Sequence, residues 1–270
     1  MKSEFISSLQ NLKIKRVAAL QRKSSERRKS GLFVVEGLRE LARCVEAGFE
    51  VVSVFCCEEI VADRPPAFLS GLSGSCQWYE VAPAVYAKLA YRGGTEGVLA
   101  VVRSRQARLC DLRLKDCPLV VVLERVEKPG NLGAVLRSAD AAGADAVVVC
   151  DPLTDLYNPN LIRSSIGAVF AVPVVACPSE ECIAWIKERK IRILTAQLQD
   201  AHPYYDTDMR GGTALVMGTE STGLTEQWRK AADAHIRIPM LGRLDSLNVS
   251  VSTAILLFEA VRQRNIVFSV

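Results

Sequence analysis

Three short stretches of this sequence carry more functional groups than an ordinary turn requires. The first is PGNLGAVLRSADAAG, which holds Asn131, Gly133 and Arg137. A loop bearing glycine and asparagine opens a helix there, and Asn131 is suited to cap it through its side-chain oxygen. Arg137 stands about one and a half turns further on, among the small residues Ala134, Ser138, Ala139 and Ala141. A guanidinium in that setting either snorkels to solvent along its stem or is kept for phosphate and ribose chemistry.

The second stretch is LVMGTESTGLTEQW. Gly218 directly follows an apolar strand, so backbone can approach a ligand there without a Cβ in the way. Glu220 is a carboxylate on the same strand-end loop, and Gly223 and Leu224 lead into the next helix. The plain alternative is a connecting turn with a solvated glutamate. The third stretch is IRIPMLGRLDSLNVSVSTAILLFEAVRQR, where Ser246, Asn248, Ser250 and Ser252 crowd the entry to an apolar helix. Ser246 alone reads as an N-cap. Four short polar groups opposite Ile255 and Leu256 exceed what one cap needs, and buried polar groups need partners. A polar cofactor would supply them.

These residues must be positioned by the elements around them. From Pro118 onward apolar runs alternate with helical patterns: PLVVVLERV, DAVVVC, VPVVAC, IRILTA, TALVMG and HIRIP as strands, with helices between them and a long last helix from NVSVSTAILLFEAVRQR. Continuous apolar runs mark strands buried on both faces. The expected fold class is α/β, a parallel sheet with helices on both faces, and ligands of such sheets bind at the strands' carboxyl ends. A smaller α/β domain is expected over residues 31–105, from LFVVEG, LRELARCVEAG, VVSVFCC, WYEV, VAPAVYAKLA and GVLAVVR. Residues 106–116 read as a linker and 117–270 as the second domain, while 158–170 reads as one of that domain's helices.

A nicotinamide-dependent oxidoreductase is a rival reading. Asp151 falls about twenty residues after the glycine turn, where such folds carry an acid for the ribose. Yet only Gly130 and Gly133 are present, without the G-x-G-x-x-G fingerprint.

The 270 residues are 49% hydrophobic and 24% charged, a globular composition. The net charge of +4 is modest, but residues 1–30 form a basic helical leader. Arg16, Arg22, Lys23, Arg27, Arg28 and Lys29 within it are candidates for contact with an RNA phosphate backbone; a solvated helix face is the alternative. A non-catalytic RNA-binding protein would account for this leader but not for three polar strand ends. The 9 cysteines are scattered without C-x-x-C, and His202 and His235 stand at no zinc spacing. The expectation is therefore no metal and a reducing, cytoplasmic setting. No run reaches the length of a membrane span, and MKSEFISSLQNLKIKR lacks the apolar core of a secretory signal.

Together the three stretches resemble the motifs of the SpoU (TrmH-like) RNA 2′-O-ribose methyltransferases. Asn131, Gly133 and Arg137 match N-x-G-x-x-x-R; Met217, Gly218, Glu220, Gly223 and Leu224 match M-G-x-E-x-x-G-L; Ile238 through Val251 match I-P-M-x-G-x-x-x-S-L-N-V-S-V. NPNLIRSSIGAVFAVPVV is similar to the family's middle segment, and KIKRVAALQRKSSERRKSGLFVVEGLREL to its smaller substrate-binding domain. Ser138, Ser252 and Phe258 depart from the commoner Thr, Ala and Tyr. The resemblance implies a C-terminal deep trefoil knot and a homodimer in which the arginine of one subunit completes the site of the other. It implies S-adenosylmethionine as methyl donor and RNA as substrate, ribosomal 23S RNA before transfer RNA. By the same resemblance Arg137 holds the target phosphate and helps deprotonate or orient the 2′-hydroxyl; a guanidinium resists giving up its proton, which favours stabilisation of the developing alkoxide over a literal base. Asn131, Glu220, Ser246 and Asn248 order that arginine and the ribose. Gly218, Ile238, Leu247 and Met240 contact the cofactor, with Leu215 and Thr195 near the strand ends beside them.

Overall fold

The computed structural model describes residues 4–61, 71–72, 76–90, 96–219, 222–243 and 246–264. The chain divides into two compact units, residues 1–105 with 155–171, and residues 106–154 with 172–270.

The first unit is built on strands β1 (Glu4–Ile6), β2 (Leu32–Glu36), β3 (Val51–Cys56), β4 (Gln77–Val81) and β5 (Val98–Arg103) in the order β1-β4-β3-β5-β2. β1, β4 and β3 run parallel; β5 is antiparallel to β3 and β2. Helices α1 (Leu12–Arg22), α2 (Ser24–Ser30), α3 (Leu38–Glu46), α4 (Glu58–Val61) and α5 (Pro83–Leu89) complete its first 105 residues as described. The basic leader is part of this unit rather than an appendage. Ile14, Val17 and Leu20 of α1 recur at helical spacing and are buried with Ile6, Leu32, Val34 and Tyr86 in one core, so the apolar face of α1 binds the sheet. Asn11 caps α1 by accepting a hydrogen bond from the Lys13 amide at 2.8 Å.

The segment after Thr154, read from the sequence as a helix of the second domain, belongs to the first unit. It forms α7 (Pro159–Ser164) and α8 (Ala168–Ala171), broken where Ile166 and Gly167 take positive φ. The physical reason lies in its side chains. Tyr157 stacks on Phe33 at 4.3 Å and Phe170 meets Phe49 at 5.3 Å, edge to face. Such aromatic pairs bury large apolar area. A Cβ on Gly167 would stand 2.9 Å from Arg43 Cδ, so the close approach of this segment requires glycine.

Asp155 of the segment receives Arg27 Nε at 2.5 Å, with side chains 5% and 15% exposed. Arg27 also donates Nη1 to the Leu20 carbonyl at 2.6 Å. This corrects the expectation for Arg27 as an RNA contact, because its guanidinium is consumed inside the unit. Arg16, Arg22, Lys23, Arg28 and Lys29 keep their side chains at the surface of α1, α2 and the turn between them, outside the buried core.

The second unit is a seven-stranded sheet in the order β10-β12-β9-β11-β6-β7-β8, every pairing parallel. Its strands are β6 (Leu119–Glu124), β7 (Ala146–Cys150), β8 (Val174–Cys177), β9 (Arg192–Ala196), β10 (His202–Pro203), β11 (Thr213–Met217) and β12 (Ala234–Arg237). Its helices are α6 (Pro129–Ala141), α9 (Ser179–Glu188), α10 (Glu226–Ala231) and α11 (Val249–Gln263). α9 and α10 pack on one face; α6 and α11 pack on each other and on the opposite face. The valine-rich central strands β6, β7 and β11 are buried along their whole length, as strands covered on both faces must be. The expected linker is anchored: Leu109 is buried in the core of this unit, with Leu112 and Leu114 packed against it. Arg264 ends α11 by donating to the carbonyls of Met209, Cys117, Pro118 and Gly211. No helix among the described residues is long and apolar enough to cross a membrane.

Arg27→Ala leaves the Asp155 carboxylate without its partner, so unfolding in urea should show a loss of about 3 kcal/mol. Arg28→Ala, one residue on and exposed, should stay within about 0.5 kcal/mol of the parent. Equal effects of the two changes would refute the structural role of Arg27.

Candidate active site

β12, β9 and β11 lie side by side and parallel, so their carboxyl ends open on one edge. A cavity of about 380 Å³ is sited there, within the size range of small-molecule sites. Ala196 and Gln197 line it after β9, Met217 and Gly218 after β11, Arg237 and Ile238 after β12. Met240, Ser246, Leu247, Val249, Ser252 and Leu256 close it from the segment entering α11 and from α11 itself. The first and second of the three polar strand ends flank β6 and β11, which are hydrogen-bonded neighbours.

Local chemistry explains the shape of this edge. At Gly218 an added Cβ would fall 2.4 Å from the Gly223 carbonyl carbon and 2.5 Å from the Leu224 nitrogen. Glycine is needed because the loop folds back on its own chain, rather than only for a ligand. The Thr219 carbonyl accepts from the Gly223 amide at 3.0 Å, and the hydroxyls of Thr219 and Thr222 bond at 2.7 Å. Glu220, expected here as a catalytic carboxylate, lies outside the described residues.

Glu124, at the end of β6, is a site residue that the sequence motifs do not mark. It is 1% exposed and accepts from the Thr225 amide at 2.8 Å and the Thr225 hydroxyl at 2.6 Å. Thr225 is the N-cap position of α10. The carboxylate thus ties the loop after β11 to the end of β6 and stabilises the start of a helix. The signal available in the sequence was a glutamate closing a run of valines, where a buried charge needs a partner.

Two capping expectations are corrected. α6 begins at Pro129 with Lys128 at the N-cap position, so Asn131 lies inside the helix. Its side-chain oxygen instead accepts from Asn248 Nδ2 at 3.1 Å. α11 is capped by Asn248, not Ser246: Asn248 Oδ1 accepts from the Ser250 amide at 2.9 Å and the Ser250 hydroxyl at 2.7 Å. One asparagine therefore caps α11 and joins it to α6. A second hollow of about 190 Å³, lined by Glu127, Lys128 and Asn131, shares Gly218, Thr219 and Val249 with the larger cavity.

Among the expected cofactor contacts, Gly218, Ile238, Met240 and Leu247 line the cavity, as does Ser246. Leu215 and Thr195 do not. Both are 0% exposed within their strands, and the Thr195 hydroxyl bonds His235 Nδ1 at 2.6 Å. They sit two and one residues before their strand ends, too deep to reach the edge. Arg137 is exposed on α6 and lines neither hollow.

Gln197 and Arg229, missed from the sequence, also face the larger cavity. Gln197 Oε1 and Arg229 Nε are buried and have no hydrogen-bond partner among the described residues. An unsatisfied buried acceptor and donor cost free energy unless a ligand meets them. Asp151 is engaged elsewhere: its carboxylate accepts from the Ser179 hydroxyl at 2.6 Å and amide at 3.4 Å at the start of α9. The Ser179 hydroxyl accepts from Trp228 Nε1 at 3.0 Å. The residue that would have bound a dinucleotide ribose is thus a structural cap.

An open parallel sheet with a polar-lipped cavity at its strand ends defines an α/β domain built to hold a small cofactor. The chain belongs to the SpoU rRNA methylase family, whose model matches residues 118–258. Residues 11–100 match the MRM3-like substrate binding domain. The 23S rRNA (uridine(2479)-2'-O)-methyltransferase of Streptomyces viridochromogenes is 31% identical over 94% of this chain and 91% of its own length. The 23S rRNA (guanosine(2553)-2'-O)-methyltransferase RlmP of Bacillus subtilis is 29% identical over 94% and 97%. The crystal structure of an AdoMet-bound rRNA methyltransferase from Sinorhizobium meliloti superposes with a TM-score of 0.87 at 28% identity, covering 96% of this chain and 98% of that one.

Glu124→Gln keeps the volume but puts an amide group against Thr225 where two donors need acceptors. Denaturant unfolding should show a loss of about 2 kcal/mol. An unchanged midpoint would mean that Glu124 does not hold the loop after β11.

Proposed function

We propose that this protein transfers the methyl group of S-adenosylmethionine to a ribose 2′-hydroxyl of 23S ribosomal RNA. The observation that carries the reading is the cavity at the ends of β9, β11 and β12, with Gln197 and Arg229 in its lining and their Oε1 and Nε buried without a partner among the described residues. The cofactor offers what they lack: hydroxyl and amino donors for the glutamine, a carboxylate or ring nitrogen for the arginine. When bound, it supplies a methyl group on a sulfonium, already activated for in-line displacement. Met217, Ile238, Met240 and Leu247 would exclude water around it, and the backbone beside Gly218 would shape its seat. The fold this chain shares with the AdoMet-bound relative supports binding of the same cofactor. Ribosomal over transfer RNA is supported by the two 23S rRNA enzymes matched along nearly the whole chain.

The 2′-hydroxyl is a weak nucleophile, so its approach and the charge growing on its oxygen are what the protein must manage. We assign Arg137 to hold the adjacent phosphate and to stabilise that charge. Its guanidinium stays protonated at any working pH, which favours an electrostatic role over a base. In one chain Arg137 lines neither hollow, which supports a homodimer in which it completes the partner's site. An exposed apolar stripe on α11, Val251 at 46% and Phe258 at 43%, supports the same assembly. Asn131, Asn248 and Ser246 would order the RNA-facing end of α6 and α11, and the resemblance assigns Glu220 to the same task. The family's trefoil knot is inferred for the C-terminal part, and the insertion of β11 between β6 and β9 is consistent with it. Arg16, Arg22, Lys23, Arg28 and Lys29 of the first unit would contact RNA phosphates, in a cytoplasmic setting.

The protein is incubated with tritiated S-adenosylmethionine and separate pools of unmodified ribosomal and transfer RNA, and the RNA is then cut with alkali. Label in alkali-resistant dinucleotides from the ribosomal pool is expected; label in mononucleotides would mean base methylation and overturn the reading. Arg137→Ala should lower turnover by about 10²–10³-fold while cofactor affinity holds within a few-fold. Arg229→Ala and Gln197→Ala should instead weaken cofactor binding by about tenfold each in calorimetry. With cofactor held well below the Kd of the Arg229→Ala chain, mixed Arg137→Ala and Arg229→Ala chains should reach about a quarter of the parent activity through heterodimers; activity no higher than the average of the two separate chains would argue against the shared site. Charge reversal of Arg28 and Lys29 should reduce the salt slope of RNA binding by about 2, whereas an unchanged slope would exclude them as phosphate contacts.

A further inference from the structure

The cysteines are scattered along the sequence, a pattern that predicts no metal. Folding changes their arrangement. Cys150 ends β7 and Cys177 ends β8, and the two are register partners on neighbouring parallel strands. Side chains opposed in this way point to the same face. α9 packs on β7, and its Cys182 completes the group. The three sulfurs lie within 4.8 Å of one another, and the residues are 0%, 7% and 0% exposed. We propose that Cys150, Cys177 and Cys182 form a binding site for a thiophilic divalent cation of the zinc and cadmium class.

The geometry needs little adjustment. Thiolates bound to zinc at about 2.3 Å stand about 3.8–4.0 Å apart in tetrahedral or trigonal arrangement. The sulfurs, within 4.8 Å of one another, already stand within about 1 Å of that spacing. All three donors are soft sulfur, which selects zinc and its heavier relatives over magnesium or calcium.

Charge decides the valence. Three thiolates around a monovalent ion would leave two negative charges in a core of Val122, Val148, Val175, Trp185 and Ile186. A divalent ion leaves one, and bare charge in an apolar core is costly. The neighbouring Asp151 carboxylate adds to the negative side, which again favours the higher cation charge. Cys182 lies near the start of the 10-residue α9, whose N-terminal dipole offsets part of the remaining charge.

A disulfide between any two of the three would leave the third sulfur alone, whereas one cation engages all three. Since the group is shut inside the core, the ion enters as the core forms.

The full chain is refolded with zinc or cadmium and freed of loose metal by gel filtration. About one equivalent per chain is expected, with a thiolate-to-cadmium charge-transfer band in the ultraviolet and a melting temperature several degrees above protein refolded with chelator. Cys182→Ser should abolish the band, while the doubly substituted Cys110→Ser/Cys117→Ser chain, altered only at exposed cysteines, should keep it. X-ray absorption at the zinc edge of the unaltered protein should count three sulfurs, a readout that survives if the serine variant fails to fold. Substoichiometric metal in the unaltered chain, a band that persists in Cys182→Ser, fewer than three sulfurs, or an intact-mass loss of two hydrogen atoms from an oxidised, internal disulfide would each overturn the site.

Discussion

The edge that holds the larger cavity depends on one close backbone approach. At Gly218 the chain leaving β11 turns back until its own Gly223–Leu224 peptide occupies the place of a Cβ. That turn sets where the larger cavity ends and the smaller hollow begins, since both are bounded by Gly218 and Thr219. The buried Glu124 holds the far side of the same loop by accepting both donors of Thr225. A charged hydrogen bond in a dry setting is stronger than a neutral one, and here it fixes the chain at Thr225, where α10 begins. Apolar packing alone would not fix a Gly-Thr-x-x-Thr-Gly sequence, which has almost no side-chain surface to bury.

Several polar groups elsewhere are met by more than one partner. Arg27 meets a carboxylate and a carbonyl, and Arg264 meets four carbonyls at the end of α11. Asp151, Ser179 and Trp228 form a closed chain across α9 and α10. Against that background the unpartnered Gln197 Oε1 and Arg229 Nε stand out. Trp78 Nε1 and Trp185 Nε1 are likewise buried without a partner among the described residues, but only Gln197 and Arg229 line the cavity. The cysteine group belongs to the same comparison: three sulfurs gathered in a core that valine and isoleucine would fill with ordinary packing.

The sheet order explains why distant stretches of sequence share one site. β6 and β11 are separated by about ninety residues yet are hydrogen-bonded along their whole length, as parallel strands with crossover connections commonly are. The first and second motifs therefore open on one edge, and the Asn131–Asn248 bond brings the third to the first. In unit one the return of residues 155–171 shows the same principle through aromatic stacking, since Phe33 and Phe49 offer a flat apolar surface that Tyr157 and Phe170 cover.

By itself the sequence determined six of the seven strands of the parallel sheet, because valine-rich runs and helical periodicity are local signals, whereas the two-residue β10 is too short to leave one. It also marked Gly218, Ile238, Met240, Ser246 and Leu247, whose stretches carry unusual polar density beside apolar strands. Only the tertiary structure decided what each polar group does. Asn131 and Ser246 lost their expected capping roles because the helices start elsewhere by a few residues, and cap geometry is set by where backbone turns. Arg27 left the basic surface because Asp155, over a hundred residues away, reaches it. Leu215 and Thr195 were placed too near the edge because strand patterns give the face of a residue but not its depth. Glu124, Gln197, Arg229 and the trio of cysteines carried no motif at all: their meaning lies in partners, present or missing, that only long-range pairing of strands brings within reach.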